Sequence, residues 1–205
     1  MEWPDWVRSD ALFPSFSASQ SEGTCPTFAA NNPAWTLLDP SSPTGLKAQL
    51  NEAISAYAGP TQDATISGAT LDEALGPVVI HASALIEPSA HFIGPCLVDA
   101  NAEVRHGAYV RPFSWICAGA VVGHNTEIKH SILLPGSKAP HFNYVGDSIL
   151  GKGVNLGAGT KLSNLRNDGG EVHLRLDGNR LASGLRKFGA VLGEGCQLGC
   201  NSVTN

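Results

Sequence analysis

From Ile80 onward the chain carries an aliphatic or aromatic residue at every sixth position. The series is Ile80, Ile86, Phe92, Val98, Val104, Val110, Ile116, Val122, Ile128 and Leu134. Four residues after each member comes a small or apolar one, from Ala84, Ala90 and Cys96 to Thr126 and Ile132; only Lys138 breaks the rule. A helix repeats about every 3.6 residues and a strand about every 2, so neither yields this spacing. A period of six marks a parallel β-helix built from hexapeptide faces. The expected fold class is all-β: a left-handed parallel β-helix of hexapeptide repeats, with a short N-terminal helix and arm.

Three hexads make one triangular coil. Residues 18 apart should then lie one above another, at the parallel-strand spacing of about 4.8 Å. The phase breaks after Leu134 and resumes at Leu150, Leu156 and Leu162, which predicts a protruding loop over 135–147. A second excursion runs over 163–188. Within it Val172, Leu174 and Leu176 alternate and lead into Asp177-Gly178, a strong hairpin signal. The repeat returns at Leu192 and Leu198 and is still in register from Asn201 to Asn205. An open coil leaves unpaired backbone, so a partner or further chain is expected to cover it.

Upstream the pattern changes. Residues 1–41 are rich in Ser, Pro and aromatics and show no period. An arm wrapping a neighbour and partial disorder both fit. Apolar residues at Leu46, Leu50, Ile54 and Tyr57 predict a helix over 44–57, capped by Ser42 or Thr44 and stopped by Gly59-Pro60. The expected division is 1–76 for arm and helix and 77–205 for the β-helix.

Charge and composition narrow the function. A net charge of −5 gives no electrostatic case for nucleic acid. No apolar run approaches the ~18 residues of a membrane span, and the acidic Met1-Glu2-Trp3-Pro4-Asp5 start lacks a signal-peptide pattern. Of the five cysteines, Cys96 and Cys196 fall on inward positions and read as small core residues, pointing to the cytoplasm. Cys196 and Cys200 do not form a Cys-x-x-Cys pair.

Stacking selects the chemistry. Arg111 and Lys129 each follow a core aliphatic and are 18 apart. Either both lean into solvent, or they clamp a phosphate or carboxylate. Glu87 and Arg105 share that spacing and read as a surface ion pair. His106 and His124 should stack, but no third residue completes a metal set. His141 begins the densest polar cluster, His141 to Asp147, and is a general-base candidate because a free imidazole titrates near neutrality. The Gly-x-Gly pieces at Gly151, Gly157 and Gly193 precede no helix and read as turn glycines.

Four ordered motifs carry a family resemblance. Tyr109-Val110-Arg111-Pro112, Glu127-Ile128-Lys129-His130, the run from His141 to Asp147, and Asn155 to Thr160 resemble the acetyltransferase half of bifunctional glucosamine-1-phosphate acetyltransferase/N-acetylglucosamine-1-phosphate uridyltransferase. Ser163-Asn164-Leu165-Arg166 and the run from Gly184 to Ala190 are similar to the archaeal-type sugar-phosphate relatives. The resemblance implies an acetyl-CoA-dependent N-acetyltransferase acting on an amino-sugar phosphate. It implies that Arg111 and Lys129 grip the phosphate, that His141 is the base and that Glu127 orients it. Tyr144 and Asn155 would contact the sugar phosphate, Asn164 would lie near the amine, and Ala158 would face acetyl-CoA. A homotrimer with sites between subunits is implied as well. A non-catalytic sugar-phosphate-binding β-helix and a γ-carbonic-anhydrase-like metal enzyme are the other readings.

Overall fold

The computed structural model describes residues 3–16, 24–176 and 178–204. Short strands of two to four residues wind into three parallel sheets that form a three-faced β-helix. The first face contains His91–Ile93, Tyr109–Val110, Glu127–Lys129, Tyr144–Gly146 and Lys161–Leu162. The second contains Val78–Ile80, Cys96–Val98, Ser114–Ile116, Ser131–Leu133, Ile149–Leu150 and Val191–Leu192. The third contains Leu85–Ile86, Glu103–Val104, Val121–His124, Lys138–His141, Asn155–Leu156 and Gln197–Leu198. Winding starts upstream of residue 77, because Thr70–Asp72 already pairs with His91–Ile93.

The interior follows the hexads. Ile80, Phe92, Val98, Val104, Val110, Ile116, Val122 and Ile128 are buried in one continuous core, with Ile86 packed against it. Early coils keep the predicted 18-residue rise: Cys96 pairs with Ser114, and Glu103 with Val121. Then two corners each lose a residue. Ile116 pairs with Leu133 and Leu133 with Leu150, both 17 apart. Leu133 therefore points inward, while Leu134 joins a separate outer cluster. Residues 135–147 do not protrude, contrary to the sequence expectation. They form two regular faces, with Ala139 and Val145 in the core. Lys138 broke the pattern because Ser137, fully buried, holds the inward position in its place. The interior sequence is Leu133, Ala139, Val145, Leu150, so the period survives with one short corner at each end.

The N-terminal segment covers the second face of its own chain. Outward residues Val79, Leu97, Trp115, Ile132, Ile149 and Val191 form a vertical apolar column, one per coil. Val7, Phe13, Trp35, Leu37, Leu38, Leu46 and Leu50 pack on it. Trp115 Nε1 donates to the Thr24 carbonyl at 3.2 Å. Burying this stripe supplies the hydrophobic driving force that orders an otherwise aperiodic arm. The helix α1 spans Leu46–Ser55, and Gly45 takes the cap position without a side-chain bond, in place of the expected Ser42 or Thr44. The hairpin of the second excursion pairs His173–Leu176 with Asn179–Ala182. Asp177 lies outside the described residues, and Gly178 has the positive φ of 81° that its turn requires. Among the described residues no helix is long and apolar enough to cross a membrane.

Candidate functional site

The two short corners lie where the first face turns into the second. Phe113, His130 and Asp147 occupy this corner on successive coils, all with positive φ, at 63°, 45° and 48°. Each turn drives its side chain outward beside the end of the preceding strand, where Arg111 and Lys129 stand. A cavity of about 530 Å³ opens here. Its walls come from three separate stretches of sequence: Leu38 to Lys47 of the arm and α1, the β-helix corner, and Gly184 to Lys187 of the second excursion.

Asp147 is the hub. Its side chain is only 6% exposed. One oxygen accepts from His130 Nδ1 at 2.8 Å. The other accepts from Lys129 Nζ at 3.1 Å and from Asn164 Nδ2 at 2.5 Å. Burial pushes the carboxyl upward, but the His130 hydrogen bond and the Lys129 charge more than reverse this and hold it below the ordinary value of 3.8. Asn164 also receives the Tyr144 hydroxyl at 3.4 Å. Burial raises the Tyr144 phenol above its usual 10.0.

Arg111 and Lys129 do meet at the cavity, but neither faces solvent as a bare cation. Arg111 bonds Glu127 at 2.7 Å, and Lys129 bonds Asp147. Within one chain, then, the Glu127 carboxylate is bonded to Arg111. His141 stands elsewhere, exposed at the end of a third-face strand and paired in register with His124. Its backbone N–H donates to Asn143 Oδ1 at 3.0 Å, and the buried Asn143 bonds the Gly157 carbonyl at 2.8 Å. Asn155 is on the same face, between Lys138 and Gln197. Ala158 is partly exposed in the following corner, where its carbonyl accepts from Asn201. Of the residues singled out from sequence, Arg111, Lys129, Glu127, Tyr144 and Asn164 thus gather on the first face, and His141, Asn155 and Ala158 along the third face and its edge.

One stacking reading changes and one holds. Arg105 pairs with Glu103 at 2.9 Å, two residues along its own strand, and not with Glu87. Glu87 instead accepts from the His106 N–H at 2.7 Å. His106 and His124 stack as expected, with ring centroids 5.6 Å apart. Their Nδ1 atoms are taken by the carbonyls of Pro88 and His106.

Sequence reasoning missed Lys47, His130, Asp147, Arg186 and Lys187 as site residues. The signal for His130 and Asp147 was their spacing of 17, visible once Lys138 is read as a phase slip. No periodic signal announces Lys47, because packing of α1 brings it to the corner.

Comparison with known proteins follows the same lines. The family model described as GMPPB C-terminal domain matches residues 92–205, more than half of the chain. The chain belongs to this family. A bifunctional sugar-1-phosphate nucleotidylyltransferase/acetyltransferase of Sulfurisphaera tokodaii is 38% identical over 134 residues, covering 57% of this chain and 33% of that protein. The bifunctional protein GlmU of Methanococcus vannielii is 44% identical over 92 residues, covering 45% of this chain and 22% of that protein. The chain spans about a third or less of the length of these relatives. Among solved structures, the acetyltransferase domain of PglB from Neisseria gonorrhoeae FA1090 in complex with acetyl coenzyme A aligns over 69% of this chain and 73% of that one, at 20% identity and a TM-score of 0.26.

Proposed function

We propose that the chain is an N-acetyltransferase moving an acetyl group from acetyl-CoA to the amine of an amino-sugar phosphate of the glucosamine-1-phosphate kind. The observation that carries this reading is the joint placement of Arg111 and Lys129 at one cavity of ligand size. The similarity to the bifunctional sugar-1-phosphate nucleotidylyltransferase/acetyltransferase of Sulfurisphaera tokodaii supports it.

In this reading the phosphate sits among the cations of the cavity, Arg111 through its planar fork and Lys129 as a point charge. Tyr144, Asn155 and Asn164 hold the sugar and its amine. His141 takes the proton of the attacking nitrogen. The new bond is C–N, the bond broken is C–S, and the thiol of CoA leaves. No covalent enzyme intermediate is required. Ala158 between Gly157 and Gly159 presents a strip with a single methyl, which suits close approach of a thioester to the backbone. Bringing the two substrates together supplies much of the acceleration.

His141 and the Arg111–Lys129 pair stand on different faces of one chain. We therefore propose a homotrimer in which the first face of one copy meets the third face of the next. The described arm residues pack on the second face, and this supports an arrangement in which the other two faces meet neighbouring copies. In such an assembly Glu127 and His141 of different copies come together. The free thiols of Cys96, Cys117, Cys196 and Cys200 support a cytoplasmic setting.

Release of free CoA in the presence of acetyl-CoA and glucosamine-1-phosphate tests the activity. A silent wild type, indistinguishable from His141→Ala, would leave the non-catalytic sugar-phosphate-binding reading. That alternative is favoured by the cavity being lined within one chain without His141.

A further inference from the structure

The arm meets the β-helix at a point where two cysteines face each other. Thr24 donates its N–H and its hydroxyl to one carboxylate oxygen of Asp99, the hydroxyl at 3.1 Å. Its carbonyl accepts from Trp115 Nε1 at 3.2 Å. These three bonds hold the next residue, Cys25, against the second face. Val98 pairs with Ile116, so Cys117 stands one coil above Asp99. Cys25 and Cys117 pack in the same apolar cluster, and their thiols are hydrogen-bonded to each other.

The two sulfurs differ in what can reach them. Cys117 is fully buried. Burial pushes its thiol well above the usual 9.0, and the hydrogen bond with Cys25 and the charge of Asp99 push the same way. It stays protonated and does not start a thiol reaction, because the thiolate is the nucleophile. Cys25 is only partly buried, and an oxidant meets it first. Two residues on, the Thr27 N–H and hydroxyl donate to Gln49 Oε1 at 2.8 and 3.2 Å. Gln49 Nε2 donates to the carbonyls of Thr27 and Thr44 at 3.1 and 2.8 Å. Cys25 is thus tied through Thr27 to α1, whose Lys47 stands in the cavity wall. Cys25 lies outside the residues that the family model matches.

We propose that Cys25 and Cys117 form a redox site, in which a low-molecular-weight disulfide oxidises the two thiols to a disulfide that fastens the arm to the second face. The Cys25 thiolate attacks one sulfur of the oxidant RS–SR. A mixed disulfide forms, and the released RS⁻ takes up the proton that Cys25 gave away. Cys117 then attacks the Cys25 sulfur, and RS⁻ leaves with the Cys117 proton as RSH. Two protein thiols are oxidised, and RS–SR is reduced to two RSH. In a reducing compartment the pair rests as thiols, and it closes when the thiol poise turns oxidising. The new bond closes a loop of about 92 residues, and a cross-link over so long a loop restricts the unfolded chain strongly.

Incubation of the full chain with oxidised glutathione, followed by peptide mapping without reductant, tests it. A cross-linked Cys25–Cys117 peptide is expected, and dithiothreitol should reverse it. The melting temperature should rise by about 5–15 °C on oxidation. Cys25→Ser should abolish both the cross-link and the rise. Cys117→Ser should stop the reaction at a glutathione adduct on Cys25. Should Cys117→Ser fail to fold, Cys25→Ser, at the partly buried position, carries the test alone. Cys200 is exposed and serves as the internal control, since it takes a glutathione adduct of its own. An adduct on Cys200 with no Cys25–Cys117 peptide would overturn the proposal. So would a rise in melting temperature that persists in Cys25→Ser. A cross-link that leaves the melting temperature unchanged would mean that the bond does not fasten the arm, and the proposal falls as well.

Discussion

His130 and Asp147 are 17 residues apart and meet at 2.8 Å on successive coils, Nδ1 to Oδ1. The contact exists because the corners that carry them are each one residue shorter than those below. A corner of ordinary length would shift every later residue by one place and swap inward for outward positions. The same two deletions thus build the hub of the cavity and hide it from a strict six-residue count.

Asp147 couples stability to pH. Its folded pKa lies below the ordinary 3.8, so the unfolded chain takes up the proton first as pH falls. The stabilisation is whole above the unfolded value and drains away as pH drops through the folded one. Denaturant midpoints measured from about pH 6 downward should fall in wild type through this window. Asp147→Asn should show a shallower fall, and parallel curves for the two proteins would disprove the assignment. At neutral pH the same substitution should cost about 2 kcal/mol, since it leaves Lys129 and His130 without their charged acceptor.

Trp115 ties the arm to the β-helix. It is 2% exposed, packs among Leu97, Ile132 and arm residues, and bonds the Thr24 carbonyl. Trp115→Ala should destabilise the chain by about 4 kcal/mol, the scale of a large-to-small change in a packed core. Equilibrium unfolding measures it. A loss under about 1 kcal/mol would mean that the arm does not rest on this face.

Arg111 and Lys129 should both matter for phosphate ligands. Replacing either with Ala is expected to weaken binding by about 1.5–3 kcal/mol, the scale of a charged hydrogen bond. Unchanged affinity by calorimetry would remove the clamp. Arg111→Ala also strips Glu127 of its 2.7 Å partner. Arg111→Ala/Glu127→Ala should therefore recover part of any lost stability, which a thermal melt can read.

His141 should act on rate with little effect on stability, because it is exposed and only its backbone is bonded to Asn143. His141→Ala is expected to lower acetyl transfer by about 10²–10⁴-fold with unchanged unfolding. Asn143→Ala is the structural counterpart. It removes buried hydrogen bonds to His141 N and the Gly157 carbonyl, and should lower both melting temperature and rate. A His141→Ala enzyme with full kcat would exclude the imidazole as base.

The hexad series by itself determined the parallel β-helix, the interior from Ile80 to Ile128 and the stacking of His106 on His124, and the alternation of Val172, Leu174 and Leu176 determined the hairpin of His173–Leu176 with Asn179–Ala182. These follow from local periodicity, since each inward side chain must repeat wherever the coil does. The gathering of Arg111 and Lys129 was legible for the same reason. Tertiary structure alone decided the rest. Ile128 to Leu133 and Val145 to Leu150 are short steps whose cause is turn geometry at His130 and Asp147, and hydrophobic pattern does not encode turn length. Nor does any period link Lys47 to Lys129. They share a cavity because the apolar column of Leu97, Trp115, Ile132 and Ile149 draws the arm and its helix onto the second face. Burial of that column is a long-range contact, and such contacts are set by the packed chain and not by the spacing of residues along it.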